Sequence, residues 1–437
     1  MSGKWLRNFI VATTCAGLLC AQTASAQVLW SSTWNVTTPL LLDTYPEPSL
    51  FFTEDGGAIL GSLPLSAGDR KTTRINANAG VLWSSSLYGY RGYFDQPTGT
   101  ALDMEDGGAV VTLGASWPYA SGEISRLGAD GKILWSRSAL VETISRLDAN
   151  QLVYSGCNIL TAVDIQTGNA NWQVAFDRSR YCHGNSTSID ESQNVYASFS
   201  MSTGNQVTGY RIVKTDSSGL VQWNVSAQAV GGASIIGVGS TALYMKSGSQ
   251  LIAASKLDGS TLWSVPVWAG STILVTEDAA AEPVVIDTAF VRRLSAANGS
   301  EIWSASTPAC VTCAKATITG DSVVALVNLG RDLVKINAVT GAIEWTTALL
   351  DEDADGKPLK WLGFGRLAGN QLLGVASARS EGASTAHFQA INFDTGVLQL
   401  ASEPSELPQG LLGESVVDGN DVFDAAFRAD EVKKALH

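Results

Sequence analysis

Apolar and polar residues alternate along this chain in short runs, broken by Gly, Asp, Asn and Thr, and no long stretch carries helical spacing. Residues 315–319, 322–328, 332–338 and 342–347 read as four consecutive strands. Turns at Gly320-Asp321 and Thr340-Gly341 separate the first strand from the second and the third from the fourth.

That unit is one of several. A glycine followed by two or three residues and then tryptophan recurs as Gly80-Val-Leu-Trp83, Gly131-Lys-Ile-Leu-Trp135, Gly168-Asn-Ala-Asn-Trp172 and Gly219-Leu-Val-Gln-Trp223. It continues as Gly259-Ser-Thr-Leu-Trp263, Gly299-Ser-Glu-Ile-Trp303 and Gly341-Ala-Ile-Glu-Trp345, and an eighth copy, Gly396-Val-Leu-Gln-Leu400, has leucine in the tryptophan place. Successive spacings are 52, 37, 51, 40, 40, 42 and 55 residues. A period near forty with four strands per unit predicts propeller blades rather than solenoid coils.

Glycine suits the tight turn before the fourth strand because it adopts positive φ without strain. Tryptophan at an equivalent place in every blade is expected in the seam between blades, burying ~150–250 Å². That burial is on the order of 4 to 5 kcal/mol per ring as an upper bound.

On these residues the chain resembles the pyrroloquinoline-quinone-like, quinoprotein-type β-propeller repeat family, whose signature is Asp-x-x-Thr-Gly-x-x-x-Trp. Asp164-Ile-Gln-Thr-Gly168 with Trp172 matches it in full, while Asn337-Ala-Val-Thr-Gly341 with Trp345 and Asn392-Phe-Asp-Thr-Gly396 carry Asn for Asp. The resemblance covers nearly all of residues 27–437, read as one all-β propeller domain, and in architecture it extends to the propeller lipoproteins of outer-membrane barrel assembly. It implies eight blades, whereas eight internal units plus one split between the chain ends would make nine. The N-terminal stretch Gln27-Val-Leu-Trp-Ser-Ser-Thr33 parallels Val81-Leu-Trp-Ser-Ser-Ser86 and reads as a stray fourth strand. Residues 414–436 then supply strands to pair with it and close the ring, removing exposed sheet edges.

Lys4 and Arg7, the apolar stretch 9–19 and Ala24-Ser25-Ala26 form a secretory leader, so residues 1–26 are expected to be removed. Leu19 before Cys20 departs from a lipid-anchor signal, which points to a soluble periplasmic or secreted protein. No later apolar run approaches the ~20 residues of a membrane helix. Without Lys4 and Arg7 the charge is 26 basic minus 41 acidic residues, or −15. That balance argues against nucleic acid and anionic membrane as partners.

Turns between strands one and two and between three and four are short, as in Glu54-Asp-Gly-Gly57 and Glu105-Asp-Gly-Gly108. The long segments, 63–70, 87–98, 177–187, 304–313 and 349–360, fall on the opposite face, which is the expected binding face. It carries Tyr88, Tyr90, Arg91, Tyr93 and Phe94 in one link, and Arg178, Arg180, Tyr181 and His183 in another. The aromatic set suits stacking on sugars or gripping a peptide, or simply packing onto its own blade. Cys157 and Cys182 are expected to pair as a disulfide, and Cys310-Val-Thr-Cys313 as a short loop disulfide.

Asp351, Asp353 and Asp355 before Gly356 match the opening of a calcium loop, but the twelfth position is Leu362 instead of an acid. The stretch is therefore either a calcium site completed from elsewhere or a solvated acidic link. The family resemblance implies a quinone cofactor held by adjacent disulfide-bonded cysteines, and this chain has no adjacent cysteine pair. A Gly-x-Ser-x-Gly elbow is absent, and His183, His387 and His437 are the only histidines. The reading that follows is an exported, non-enzymatic, monomeric scaffold binding a protein or polysaccharide through its long-link face. A quinoprotein-like oxidoreductase and a carbohydrate-binding module are the alternatives.

Overall fold

The structure, a computed structural model, describes residues 33–37, 49–53, 57–61, 70–76, 81–87, 101–113, 122–156, 158–176, 184–203, 206–228, 233–267, 274–277, 281–286, 290–306, 316–319, 321–327, 331–349, 359–366, 370–380, 383–399 and 423–424. Among them every helix or strand is a strand, and no helix is long and apolar enough to cross a membrane. After β1 (Thr33–Thr37), the strands gather in groups of four. Sheet 1 holds β2 (Ser49–Phe52), β3 (Ala58–Gly61), β4 (Arg70–Ile75) and β5 (Val81–Leu87). Sheet 2 holds β6 (Ala101–Asp103), β7 (Ala109–Leu113), β8 (Glu123–Leu127) and β9 (Ile133–Ser138). Sheet 3 holds β10 (Thr143–Arg146), β11 (Gln151–Gly156), β12 (Ile159–Asp164) and β13 (Ala170–Ala175).

Sheet 4 holds β14 (Gly184–Ile189), β15 (Val195–Thr203), β16 (Gln206–Thr215) and β17 (Val221–Gln228). Sheet 5 holds β18 (Ser234–Val238), β19 (Ala242–Ser247), β20 (Gln250–Ser255) and β21 (Thr261–Pro266). Sheet 6 holds β22 (Leu274–Glu277), β23 (Pro283–Ile286), β24 (Phe290–Leu294) and β25 (Glu301–Ser306). Sheet 7 holds β26 (Ala316–Thr319), β27 (Ser322–Val327), β28 (Asp332–Asn337) and β29 (Ile343–Ala348). Its four strands lie within a residue of the boundaries read from the sequence. Sheet 8 holds β30 (Leu359–Arg366), β31 (Gln371–Ser380), β32 (Ala383–Asn392) and the short β33 (Leu398–Gln399), with β34 (Phe423–Asp424) at its far edge.

Strands within a sheet follow chain order and pair antiparallel, so each sheet is a meander. First strands of neighbouring sheets stand side by side: β6 by β10, β10 by β14, β14 by β18, β18 by β22, β26 by β30, and β30 by β2. The fold is a β-propeller in which each sheet is a blade. Its core is divided accordingly, with one buried cluster across each of the seams from sheets 1/2 to sheets 7/8. At the 5/6 seam, for example, Tyr244, Leu251 and Trp263 pack against Val275, Val285 and Leu294.

Every fourth strand that carries tryptophan enters its sheet through a β-bulge, as between Arg74 and Ile75 or between Ala253 and Ala254. The bulged residue just before the tryptophan has no partner across the ladder and points outward. Leu82, Leu134, Leu262 and Ile302, each about half exposed, occupy that place and owe their exposure to the bulge.

In sheet 8, Ala390 pairs with Gln399, and Leu400, read from the sequence as standing in the tryptophan place, lies outside the described residues. β1 joins sheet 8, and of residues 414–436 the described Phe423 and Asp424 pair with it, so that the two chain ends meet as expected. β1 lies along β32, from Thr33 opposite His387 to Thr37 opposite Ala383, and β34 pairs with its other edge. Among the described residues, ten-residue β32 meets two residues of β33 at its C-terminal half, and β1 takes the edge over Ala383–His387. Of the expected N-terminal strand, residues 27–32 lie outside the described residues.

Candidate functional site

The described side chains build the seams, and the seams fix what each face can present. Trp135 of sheet 2 donates its Nε1–H to the Ile165 carbonyl in the turn before the fourth strand of sheet 3, at 2.7 Å. Gly168 closes that turn with φ of 68°, and a Cβ there would stand 2.7 Å from the Trp135 ring. No other residue supplies both the conformation and the clearance. The Asp164 carboxylate shapes the same turn by accepting bonds from the Gln166 and Thr167 amides and the Thr167 hydroxyl.

The linkage repeats from blade to blade. Trp172 donates to the Ser217 carbonyl, Trp223 to Lys256, Trp263 to Ala296, Trp303 to Val339 and Trp345 to Phe393, each in the following sheet. Trp83 differs: it donates to Gly107 at 3.0 Å, in the turn between the first two strands of sheet 2. All seven predicted tryptophans therefore occupy seams on the short-turn face.

A second set of seam residues escaped the sequence reading. Directly opposite the tryptophans across the ladder stand Arg74, Arg126, Lys214, Arg293 and Lys335. Arg74, buried, pairs with Asp103 of the next blade at 2.7 Å and donates to the Gly108 carbonyl. Arg126 holds Asp106 at 2.5 Å. Burial alone would raise the Asp106 pKa, but the bonds from Arg126 and the Gly108 amide outweigh it and hold the carboxyl below its ordinary value. Lys335 pairs with Glu344 at 2.9 Å and lies 4.0 Å from the centre of the Phe393 ring of the next blade. The signal was present, since a cation precedes each of these tryptophans by 9 or 10 residues. It was masked by the Ala162 and Ala253 that take the same place elsewhere.

The 4/5 seam carries the densest polar cluster. The Asp190 carboxylate accepts bonds from the Asn194 amide and side chain and from the Tyr196 hydroxyl at 3.0 Å, and pairs with Lys256 at 3.2 Å. Lys256 also donates to the Gly239 carbonyl, and its own carbonyl receives Lys214 and Trp223. Burial works to raise the Asp190 pKa, but the bonds from Asn194, Tyr196 and Lys256 prevail and leave it lowered. Burial and the neighbouring Asp190 push the Tyr196 hydroxyl far above its ordinary value. With its donors and acceptors mutually matched, the cluster is a lock between blades. Among the described residues no group of three or more His, Cys, Asp or Glu side chains could hold a metal ion.

The candidates for binding, disulfides and calcium all lie outside the described residues: Tyr88, Tyr90, Arg91, Tyr93, Cys157, Arg178, Arg180, Tyr181, Cys182, His183, Cys310, Cys313, Asp351, Asp353 and Asp355. The described strand ends that bracket them are informative. Leu87 and Ala101, Ala175 and Gly184, Ser306 and Ala316, and Ala348 and Leu359 are ends of fourth and first strands, all on the face opposite the tryptophan linkages. They belong to the 1/2, 3/4, 6/7 and 7/8 seams, so the bracketing strands share a face without converging on one point.

A family model described as outer membrane protein assembly factor BamB matches residues 68–226 and 287–425. No curated protein matches the chain in sequence. Among solved structures, the chain is similar to Sqt1 of Saccharomyces cerevisiae, with a TM-score of 0.53 and 11% identity over 80% of this chain and 98% of that one. It is also similar to BamB from Moraxella catarrhalis, with a TM-score of 0.49 and 16% identity over 71% and 94% of the two chains. A third similar structure is quinohemoprotein alcohol dehydrogenase ADHIIG from Pseudomonas putida HK5, with a TM-score of 0.44 and 11% identity over 69% and 67%. At such identities a structural likeness speaks for the fold alone.

Proposed function

This chain belongs to the PQQ-like propeller family described as outer membrane protein assembly factor BamB, and from that membership we propose that it is an exported, non-enzymatic scaffold for a protein partner. The family match carries the reading, and the leader-like pattern of residues 1–26 supports export. The partner docks on the long-link face, because the short-turn face is committed to tryptophan and ion-pair contacts between blades. Loops borne on such a braced framework are where recognition residues belong. Tyr90, Tyr93 and Arg178 are of the types that dominate protein interfaces.

The quinone cofactor of the quinoprotein resemblance does not fit this chain's residues. Cys157, Cys182, Cys310 and Cys313 include no adjacent pair to form the cysteine platform. Absorbance after addition of the quinone, with a dye-coupled alcohol assay, checks this, and dye reduction would overturn the scaffold reading. The positive test is recovery of partner from a cell-envelope extract by the intact protein and by a Tyr90→Ala, Tyr93→Ala, Arg178→Ala variant. Recovery is expected to drop about tenfold or more, corresponding to ~1.4 kcal/mol. Equal recovery from both removes the proposed face.

A further inference from the structure

The turn before the fourth strand of sheet 6 reads Ser295-Ala296-Ala297-Asn298-Gly299-Ser300 and holds the one Asn-Gly dipeptide of the chain. It is also the seat of Trp263. The ring donates its Nε1–H to the Ala296 carbonyl at 2.8 Å, and a Cβ on Gly299 would stand 2.7 Å from the ring. Asparagine is a thermolabile residue, and before glycine it is most prone to ring closure, because no Cβ hinders the approach of the glycine nitrogen. Asn298 is exposed to water, while Gly299 is buried.

The other described turns of this kind carry no equivalent chemistry. Thr167, Ser218, Thr340 and Thr395 stand before Gly168, Gly219, Gly341 and Gly396, and a hydroxyl side chain has no carbonyl for the nitrogen to attack. Asp130 and Asp258 precede Gly131 and Gly259, but bonds from Lys132 and from Ser260 hold their carboxyls below the ordinary value. An ionised carboxylate has no good leaving group, whereas an amide releases ammonia. Docking holds that reaction off at Asn298. The Gly299 N–H donates to the Ser295 carbonyl at 2.8 Å, the Ser300 N–H donates to Asn298 Oδ1 at 2.9 Å, and the Trp263 ring covers Gly299. Attack requires the Gly299 nitrogen to give up its proton and the Asn298 side chain to turn back on it, so the turn must first open.

We infer that Asn298–Gly299 is a self-modification site and a one-way latch on the 5/6 seam, protected while Trp263 is docked and reactive once it leaves. In the open turn the Gly299 nitrogen bonds to Asn298 Cγ, the Cγ–Nδ2 bond breaks, and the proton lost by Gly299 leaves with the amide as ammonia. Water then opens the five-membered imide at either carbonyl, its hydroxyl going to carbon and its proton back to the Gly299 nitrogen. Opening at Cγ gives aspartate, which such a turn accepts, since Asp258 Oδ1 receives the Ser260 N–H at 3.1 Å in sheet 5. Opening at the main-chain carbonyl gives isoaspartate, which adds one carbon to the backbone. Gly299 is then carried out of its place beneath Trp263, and a close-packed seam has no room to absorb the change. The inference is independent of the partner proposed above.

The full-length exported protein and its Trp263→Ala variant are incubated at mildly alkaline pH, and loss of the Asn298 amide is followed by peptide mass spectrometry with isoaspartyl methyltransferase labelling. The loss is expected to be at least about tenfold faster in the variant than in the natural protein. Equal rates overturn the inference. A second measurement guards against misfolding of the variant. In the natural protein the rate is followed through a urea series, and it is expected to climb before global unfolding begins. A rate that rises only with global unfolding, or no loss even in the unfolded chain, also overturns it. Finally, Asn298→Thr takes the residue type found at Thr340 and Thr395 and cannot cyclise. After incubation in sub-denaturing urea and return to buffer, this variant is expected to keep its melting temperature while the natural protein loses several degrees. Equal melting temperatures, with isoaspartate present at position 298, would remove the latch.

Discussion

Two zones of each seam hold the blades together by different chemistry. Toward the rim of the short-turn face, large rings settle on glycine turns, as Trp263 does on Gly299 with its Nε1–H 2.8 Å from the Ala296 carbonyl. Along the first strands, small hydroxyls do the stitching. Thr143 of sheet 3 bonds Ser155 of its own sheet and Thr187 of sheet 4, both at 2.7 Å, and Ser186 receives the Ile235 amide of sheet 5. The first zone centres on burial of a large ring with one hydrogen bond from it, and the second adds hydroxyl bonds to the smaller apolar burial of first-strand residues such as Ile235 and Val275. Burial of a ring is worth several times the net gain of an exchanged hydrogen bond, so the rim sets stability and the first strands set alignment.

The largest effect that could break this comparison is Trp263→Ala. It leaves a cavity between Tyr244, Val285 and the Gly299 turn, and is expected to cost ~3–5 kcal/mol in urea unfolding. A loss no larger than that of a hydroxyl deletion would show that the rim does not dominate.

The intermediate effect lies in the polar lock of the 4/5 seam. Because the folded pKa of Asp190 is lowered, its contribution is complete above the ordinary value of 3.8 and is lost as pH falls through the lower folded value. Asp190→Asn is therefore expected to cost ~1–3 kcal/mol near neutrality. It should also make the loss of stability below about pH 4 shallower than in the natural protein. Unfolding curves collected across that range check both, and an unchanged acid slope would remove Asp190 from the lock.

The smallest effect sharpens the contrast from the other side. Thr143→Val keeps the shape but strips Ser155 and Thr187 of their shared partner, with an expected cost of ~1–2 kcal/mol. A cost equal to that of Trp263→Ala would place the main fastening on the first strands.

Much of this was legible in the sequence because it is written in local periodicity. Gly341 and Trp345 mark a turn and a fourth strand whether or not the neighbouring blade is known. What Arg74 does was not legible, because its partners Asp103 and Gly108 arrive from the next blade, 29 and 34 residues along the chain. The candidate binding residues, Tyr90 and Arg178 among them, were chosen by side-chain type and lie outside the described residues, and the bracketing strand ends add only the face they share.

The sequence by itself determined the repeat, the four-stranded unit, the seven docking tryptophans and the glycines beneath them, since these follow from side-chain alternation and turn conformation within one unit. The tertiary structure alone decided which cation meets which acid, why Leu134 and Ile302 are exposed, and that β1 joins β32. Those outcomes depend on contacts between segments distant in the chain, and no local pattern encodes which distant edge remains open until every nearer strand has taken its place.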